Sequence, residues 1–150
     1  MPYVNSTPEE GSKIIKAIVI RKRWLDLILD GAKTWEMRGK PAHYRGPLAL
    51  ICKGSGGQVL GLADLVDSLP RLSEAAFKAS RDRHGVPPEE DARVLAAGWV
   101  FPWVLENVRQ LPTPVLSGQK PGQVTWVPIT ETAAAEISRR ARPLADRRPA

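Results

Sequence analysis

Residues 31–40 read GAKTWEMRGK and follow an apolar run, WLDLIL (24–29), that is closed by Asp30 and Gly31. As a strand, the stretch alternates: Lys33, Trp35 and Met37 fall on one face and Thr34, Glu36 and Arg38 on the other. Neither face is an ordinary core face. The charges belong either to a solvated edge or to a site on which they converge.

The flanking segments decide what kind of sheet this strand joins. KAIVI (16–20) is short and β-branched and reads as a strand, and RKRWLDLILDG (21–31) places Trp24, Leu27 and Ile28 at helical spacing, with Gly31 as C-cap. GPLALIC (46–52) predicts a third strand, KGSGG a loop, and QVLGLADLVDSLP (58–70) a fourth strand that bends at Gly61. Ser73 caps a predicted helix over 73–83; after HGVPP, a second helix covers EEDARVLAAG (89–98), with Pro88 near its start and Gly98 at its end. GWVFPWVLENVRQLP (98–112) predicts a strand in which Pro102 must lie at an edge or bulge. QVTWVPI (123–129) supplies the last strand and 131–142 an alanine-rich helix. Five or six strands with helices inserted between them, and no βαβ repeat, indicate the α+β class with a small curled sheet or barrel. The folded unit is expected over 14–138, between a loose lead-in at 1–13 and a basic, flexible tail at 139–150 carrying Arg139, Arg140, Arg142, Arg147 and Arg148.

Composition narrows the function classes. A chain of 150 residues with 43% hydrophobic content is long enough to bury one core and argues against disorder. No run approaches the roughly 18 to 20 apolar residues of a membrane helix, and MPYVNSTPEEGSK lacks the charged and apolar regions of a signal peptide, so a cytoplasmic protein is expected. Cys52, His43 and His84 have no zinc-ligand spacing; neither a metal nor a cofactor is expected. The net charge of +6 is unevenly placed: residues 13–53 hold ten Lys and Arg against Asp26, Asp30 and Glu36, a balance of +7, whereas 54–137 hold seven against ten acids, a balance of −3. A basic field localised in this way suits a polyanion such as nucleic acid; ordinary surface charge for solubility is the alternative.

The order strand, helix ending in glycine, G-x-K-T-x-E-x-R (Gly31, Lys33, Thr34, Glu36, Arg38) and Y-R-G-P-L-A-L-I (44–51) resembles the ASCH domain family. LGLADLVD (60–67), WVLENVR (103–109) and VTWVPI (124–129) are similar to that family's remaining strands, so the resemblance spans roughly 16–129. It implies a PUA-like curled β-barrel of five or six strands with helices at the rim, in a superfamily that includes the RNA-binding PUA, YTH and EVE domains. It also implies a cleft lined by the G-x-K strand that binds nucleic acid. Some minimal bacterial relatives are hydrolases of N4-acetylcytidine or of single-stranded RNA and use the lysine matched here by Lys33. The acetylcytidine amidohydrolases carry threonine where this chain has Glu36, and their catalytic glutamate lies in a middle helical region that here contains Glu89 and Glu90.

Each candidate residue has a functional and a structural reading. Lys33 is a mobile positive charge for a phosphate or oxyanion, or a general base if burial lowers its pKa; otherwise it is a partner for the C-terminal dipole of the preceding helix. Glu36 contacts a base edge or pairs structurally with Arg38. Trp35 stacks on an unpaired base or packs in the core, as Trp24, Trp103 and Trp126 are expected to; Trp99 is a second stacking candidate. Lys53 and Ser55 belong to the glycine-rich loop KGSGGQ, either an anion nest or a hairpin connection. Tyr44 and Arg45 extend a basic, aromatic rim, and Ser117 and Lys120 lie in a loop, LSGQKPGQ, that would close the cleft opposite the G-x-K strand, Ser117 otherwise being a turn serine. His84 reads as a capping or surface residue.

Together these features predict a domain that binds RNA or another single-stranded nucleic acid, with Lys33, Arg38, Arg45 and Lys53 on phosphates, Trp35 or Tyr44 stacking a base and Glu36 on a base edge. A hydrolase of RNA or a modified nucleoside, with Lys33 catalytic, is the first alternative, and a protein-interaction module the second. In a regular strand, alternation separates Trp35 from Glu36, so the two cannot both serve one ligand unless a bulge or strong twist reunites them.

Overall fold

Strict alternation on β3 (Gly46–Cys52) explains the layering of the molecule: Leu48, Leu50 and Cys52 enter one core cluster, and Ala49 and Ile51 enter another on the opposite face. β3 therefore has no solvent face, which is why GPLALIC is apolar almost throughout. The computed structural model describes residues 14 and 16–143. β1 (Lys16–Ile20) lies parallel to β3, paired from Lys16↔Leu48 to Ile20↔Cys52, because α1 (Lys22–Leu29) and β2 (Trp35–Arg38) intervene between them. β4 (Gln58–Ser68) and β5 (Phe101–Leu116) continue the sheet antiparallel, giving the order β2-β5-β4-β3-β1-β6, with β6 at Trp126–Pro128. Arg38 on β2 donates from Nη2 to the Val19 carbonyl of β1 at 3.0 Å, so the sheet curls until its first strand faces the far end of the path. The expected α+β class and curled sheet are observed, the sheet forming a half-barrel where a β-barrel of five or six strands was expected.

Three clusters fill this frame. Ile18, Ile20, Leu48, Leu50, Trp103 and Leu105 lie inside the curl with Leu25, Ile28 and Leu29 of α1. Ala17, Ala49, Ile51, Leu62 and Val127 face Ala133 and Ile137 of α5 (Glu131–Arg140) on the outer side. Trp35 and Met37 pack with Phe77, Val86 and Val94 of the helical insertion. Gly61 makes the first cluster possible: a Cβ there would lie 2.4 Å from Leu29 Cδ2 and 2.7 Å from the Arg109 carbonyl oxygen, so only glycine lets α1 and β5 approach β4 this closely.

Several boundaries differ from expectation, each for a local reason. β2 spans only Trp35–Arg38, because the Thr34 amide bonds the Arg83 carbonyl instead of a strand neighbour. The helix expected over 73–83 breaks at Ser80, whose hydroxyl bonds back to the Ala76 carbonyl, into α2 (Glu74–Ala79) and α3 (Arg81–His84). The next helix begins as a single 3₁₀ turn, Pro88–Glu90, before α4 (Asp91–Ala97). β5 runs on to Leu116 because Pro112 and Pro114 fall in an irregularity, between the Gly61↔Gln110 and Val59↔Val115 pairs, where no ladder bond is needed. Pro102 pairs with Met37 of β2 and lies just past the last β4 partner, Trp103, which satisfies the edge condition. The last strand shrinks to three residues. Arg139 and Arg140, expected to begin a flexible tail, form the last turn of α5, and β7 (Arg142–Pro143) pairs with β5. The expectations for 1–13 and for 144–150, with Arg147 and Arg148, lie outside the described residues. Among the described residues no helix is long and apolar enough to cross a membrane.

Candidate nucleic-acid interface

Because β1 and β3 are parallel neighbours that end together, Arg21 and Lys53, the residues that follow them, come side by side, with the Lys53 amide bonded to the Ile20 carbonyl. They form one bank of a cleft of about 230 Å³. Lys33, Glu36, Met37 and Arg38 supply the second bank, Val86 and Val94 the roof, and Trp24, Trp99 and Val124 the remaining walls. Glu36 is the sole carboxylate lining it among the described residues, against four cationic side chains, so the lining carries a formal charge of +3. The amino end of α1 opens at Arg21 with no side-chain cap and no acid in its first turn, so its partial positive charge is uncompensated at the cleft wall.

Lys33 is the most constrained of these residues. It is 2% exposed, and its Nζ donates to the His84 carbonyl at 2.7 Å, stands 4.0 Å from Glu36 Oε1 and 5.1 Å from the centroid of the Trp24 ring. Burial lowers its pKa from the ordinary 10.5 to about 8; the Glu36 carboxylate opposes that shift and Arg38 adds to it. Glu36 is itself buried, and its Oε2 accepts from Arg38 Nε at 2.9 Å. Oε1 is thus the carboxylate oxygen left for a ligand, within reach of the Lys33 ammonium.

The turn that receives Lys33 is built around a wholly buried histidine. His84 accepts from the Val86 amide at Nδ1 (3.0 Å) and lies 2.7 Å from the Phe77 carbonyl at Nε2, an arrangement that assigns the proton to Nε2. Its ring stacks on Phe77 with centroids 4.1 Å apart. Burial above all holds its pKa below the usual value, the bond to the Phe77 carbonyl opposing and the charges of Lys33 and Arg81 assisting. A neutral His84 thus fixes the carbonyl on which Lys33 rests. The left-handed conformation at Gly85 (φ 69°) turns the chain tightly there.

A family model for the ASCH domain matches residues 18–115. The chain belongs to the ASCH domain family. A crystal structure of ASCH from Zymomonas mobilis superposes with a TM-score of 0.67 at 11% identity, covering 84% of this chain and 94% of that one. Crystal structures of a serine-to-alanine and a tyrosine-to-phenylalanine mutant of the same Zymomonas mobilis protein give TM-scores of 0.65 and 0.62 at 12% and 13% identity, each covering 84% of this chain and 95% and 97% of theirs. At such identities the likeness concerns the fold. No curated protein matches the sequence.

Within this ASCH fold the expected site residues divide into two groups. Lys33, Glu36, Arg38 and Lys53 converge on the cleft. Lys33 is not the mobile charge expected of it, nor a partner for the α1 dipole, because its side chain is locked beneath the His84 carbonyl. Trp35 does not line the cleft: it is 8% exposed and packs with Phe77, Val86 and Val94, leaving Trp99, 37% exposed, as the aromatic at the mouth. The conflict between Trp35 and Glu36 is resolved in favour of Glu36. Lys33 escapes the alternation that would set it beside Trp35 because it precedes the first residue of β2.

The other candidates lie elsewhere. Tyr44 donates to the Pro47 carbonyl at 2.6 Å, and Arg45 bonds the Ala42 and Tyr44 carbonyls; neither lines the cleft. Ser55 donates to the Cys52 carbonyl and accepts from the Gln58 amide, which closes the hairpin. Ser117 is buried in a turn, accepting from the Gln119 amide, and its own amide bonds the Gly57 carbonyl, so the loop with exposed Lys120 packs on the 53–57 hairpin. Glu89 is exposed, and Glu90 pairs with Arg23 and Arg93. His84 is buried, not a surface residue. Trp103 is a core residue, whereas Trp24 and Trp126 are half-buried. Arg21, Trp24, Val86, Val94 and Val124 were not legible as cleft residues. The one available signal was that two β-branched or aliphatic runs, KAIVI and GPLALIC, each end at a basic residue. Among the described residues no three His, Cys, Asp or Glu side chains are grouped as a metal site would require.

Proposed function

We propose that this domain binds single-stranded RNA and takes one nucleotide into the cleft, in a cytoplasmic setting. The observation that carries the reading is the convergence of Lys33, Glu36, Arg38 and Lys53, with Arg21, on one cleft with a single carboxylate. Its volume of about 230 Å³ lies just under the ~300–1,000 Å³ of pockets for drug-sized ligands, which suits one base rather than a length of strand. In this reading the exposed Arg21 and Lys53 meet phosphate, and Arg38, already held by Glu36 and the Val19 carbonyl, fixes the wall. Glu36 Oε1 accepts from an exocyclic amine or ring N–H of the base. Trp99 supplies the stacking surface.

The expected result is tighter binding of a labelled single-stranded RNA than of the duplex, weakening with salt, with Trp99→Ala losing about 1–3 kcal/mol of affinity, the usual worth of one stacked base. Unchanged affinity in both Trp99→Ala and Lys53→Ala would remove the cleft from the account.

A second reading, hydrolysis of RNA or of a modified nucleoside, is favoured by one feature. Lys33, with a pKa of about 8 and a carboxylate 4.0 Å away, is poised to exchange a proton near neutral pH. It predicts turnover that disappears in Lys33→Ala. Absence of turnover of both RNA and N4-acetylcytidine by the unmodified protein argues for binding alone.

A further inference from the structure

We propose that Lys16, Tyr44 and Trp126 form a second nucleotide subsite, so that a strand whose one nucleotide occupies the cleft continues past Val124 toward Trp126. The inference rests on the reading of the cleft as a nucleotide site. Val124, 72% exposed, lines the cleft. The Val19 amide bonds the Thr125 carbonyl at 3.2 Å, and Trp126 pairs with Ile18, which keeps this segment along β1. Val124 precedes Trp126, the first residue of β6, by two residues, so the chain leads from the cleft wall to Trp126 over roughly 7 Å. The same direction is marked from the opposite bank: the Arg38 guanidinium lies 5.3 Å from the Trp103 ring, and Trp103 stacks on Trp126 at 5.2 Å.

The far end of this series is chemically a nucleotide site. Trp126 and Tyr44, both half-buried, meet edge to face at 6.1 Å, and Lys16 Nζ stands 5.3 Å from the first ring and 5.4 Å from the second. Trp103 takes one side of Trp126 and the Lys16 ammonium stands over the Trp126 and Tyr44 rings, so a base enters by displacing that ammonium toward its phosphate; aromatic rings with a cation at hand are the combination used by proteins that hold single strands without reading sequence. Stacking accepts any base, so this subsite adds affinity with strand length, whereas selection among bases stays with Glu36 in the cleft.

The test compares uridine 5′-monophosphate with a uridine tetranucleotide on the intact protein, followed by calorimetry or NMR. The tetranucleotide is expected to bind about 5- to 150-fold more tightly, the range of one stacked base. Trp126→Leu and Lys16→Gln are each expected to remove most of that gain while leaving affinity for the mononucleotide unchanged. Lys16→Gln carries the test should Trp126→Leu unfold the protein, since Trp126 also packs on Trp103. A length-dependent gain that persists in Lys16→Gln overturns the second subsite and leaves the cleft reading standing. Failure of the unmodified protein to bind either ligand overturns both.

Discussion

Glu36→Ala should destabilise the protein by about 3–5 kcal/mol, the cost of removing one partner from a buried ionic group. Glu36 offers one oxygen to Arg38 at 2.9 Å and the other to Lys33 at 4.0 Å, and all three side chains are at least four-fifths buried. Without the carboxylate, a buried ammonium and a guanidinium face each other with no anion between them. Arg38 also loses the contact that orients it toward the Val19 carbonyl, so the seam between β2 and β1 loosens. Chemical denaturation reads the effect directly. Adding Lys33→Met to Glu36→Ala should recover part of the loss, because it removes one of the stranded charges. A Glu36→Ala cost below about 1 kcal/mol, in the range of an exposed pair, would mean that the three groups do not act as a buried unit.

Stability should also rise with pH across a range where most proteins are indifferent. Lys33 has a folded pKa of about 8 against an unfolded value of 10.5, so between these limits the unfolded chain binds more protons. The penalty of burying the ammonium is complete below pH 8 and is relieved as pH rises toward 10.5. From pH 7.5 to 9.5 the gain is about 2 kcal/mol, or roughly 4–8 °C in melting temperature for a domain of this size. The range ends at 9.5 because Tyr44, whose pKa is raised by burial, and Lys22 and Lys78, raised by bonds to Asp26 and Glu74, act in the opposite sense at higher pH. Lys33→Met should flatten the profile. A wild-type protein whose melting temperature falls steadily over this range would contradict a desolvated Lys33.

The same lysine shows how much could be seen in advance. Strand and helix order followed from local pattern, since β-branched runs such as KAIVI and GPLALIC and the Trp24-Leu27-Ile28 spacing have few alternatives. The G-x-K-T-x-E-x-R spacing marked Lys33, Glu36 and Arg38 as a unit, and they do share one wall. What local pattern does not carry is which distant carbonyl receives a side chain. The His84 carbonyl, 51 residues away, converts Lys33 from a surface charge into a buried one. The Arg83 carbonyl, taken by the Thr34 amide, delays the strand until Trp35 and so frees Lys33 from alternation. The face of Trp35 stayed open between stacking and core packing for the same reason: it is decided by an insertion of helices, Glu74–Ala97, that covers it. Arg21 and Lys53 become neighbours only through the parallel pairing of β1 and β3, a long-range feature with no signature in either segment.

The five indole N–H signals of the tryptophans offer the most direct test, because the cleft reading assigns each ring a different exposure to a bound nucleotide. Titration with uridine 5′-monophosphate, followed by NMR, should shift the signals of Trp99 and Trp24, which line the cleft, and leave Trp35 unmoved beneath the helical insertion. Movement of Trp35 with Trp24 and Trp99 unchanged would place the ligand on the other face of β2 and contradict the account.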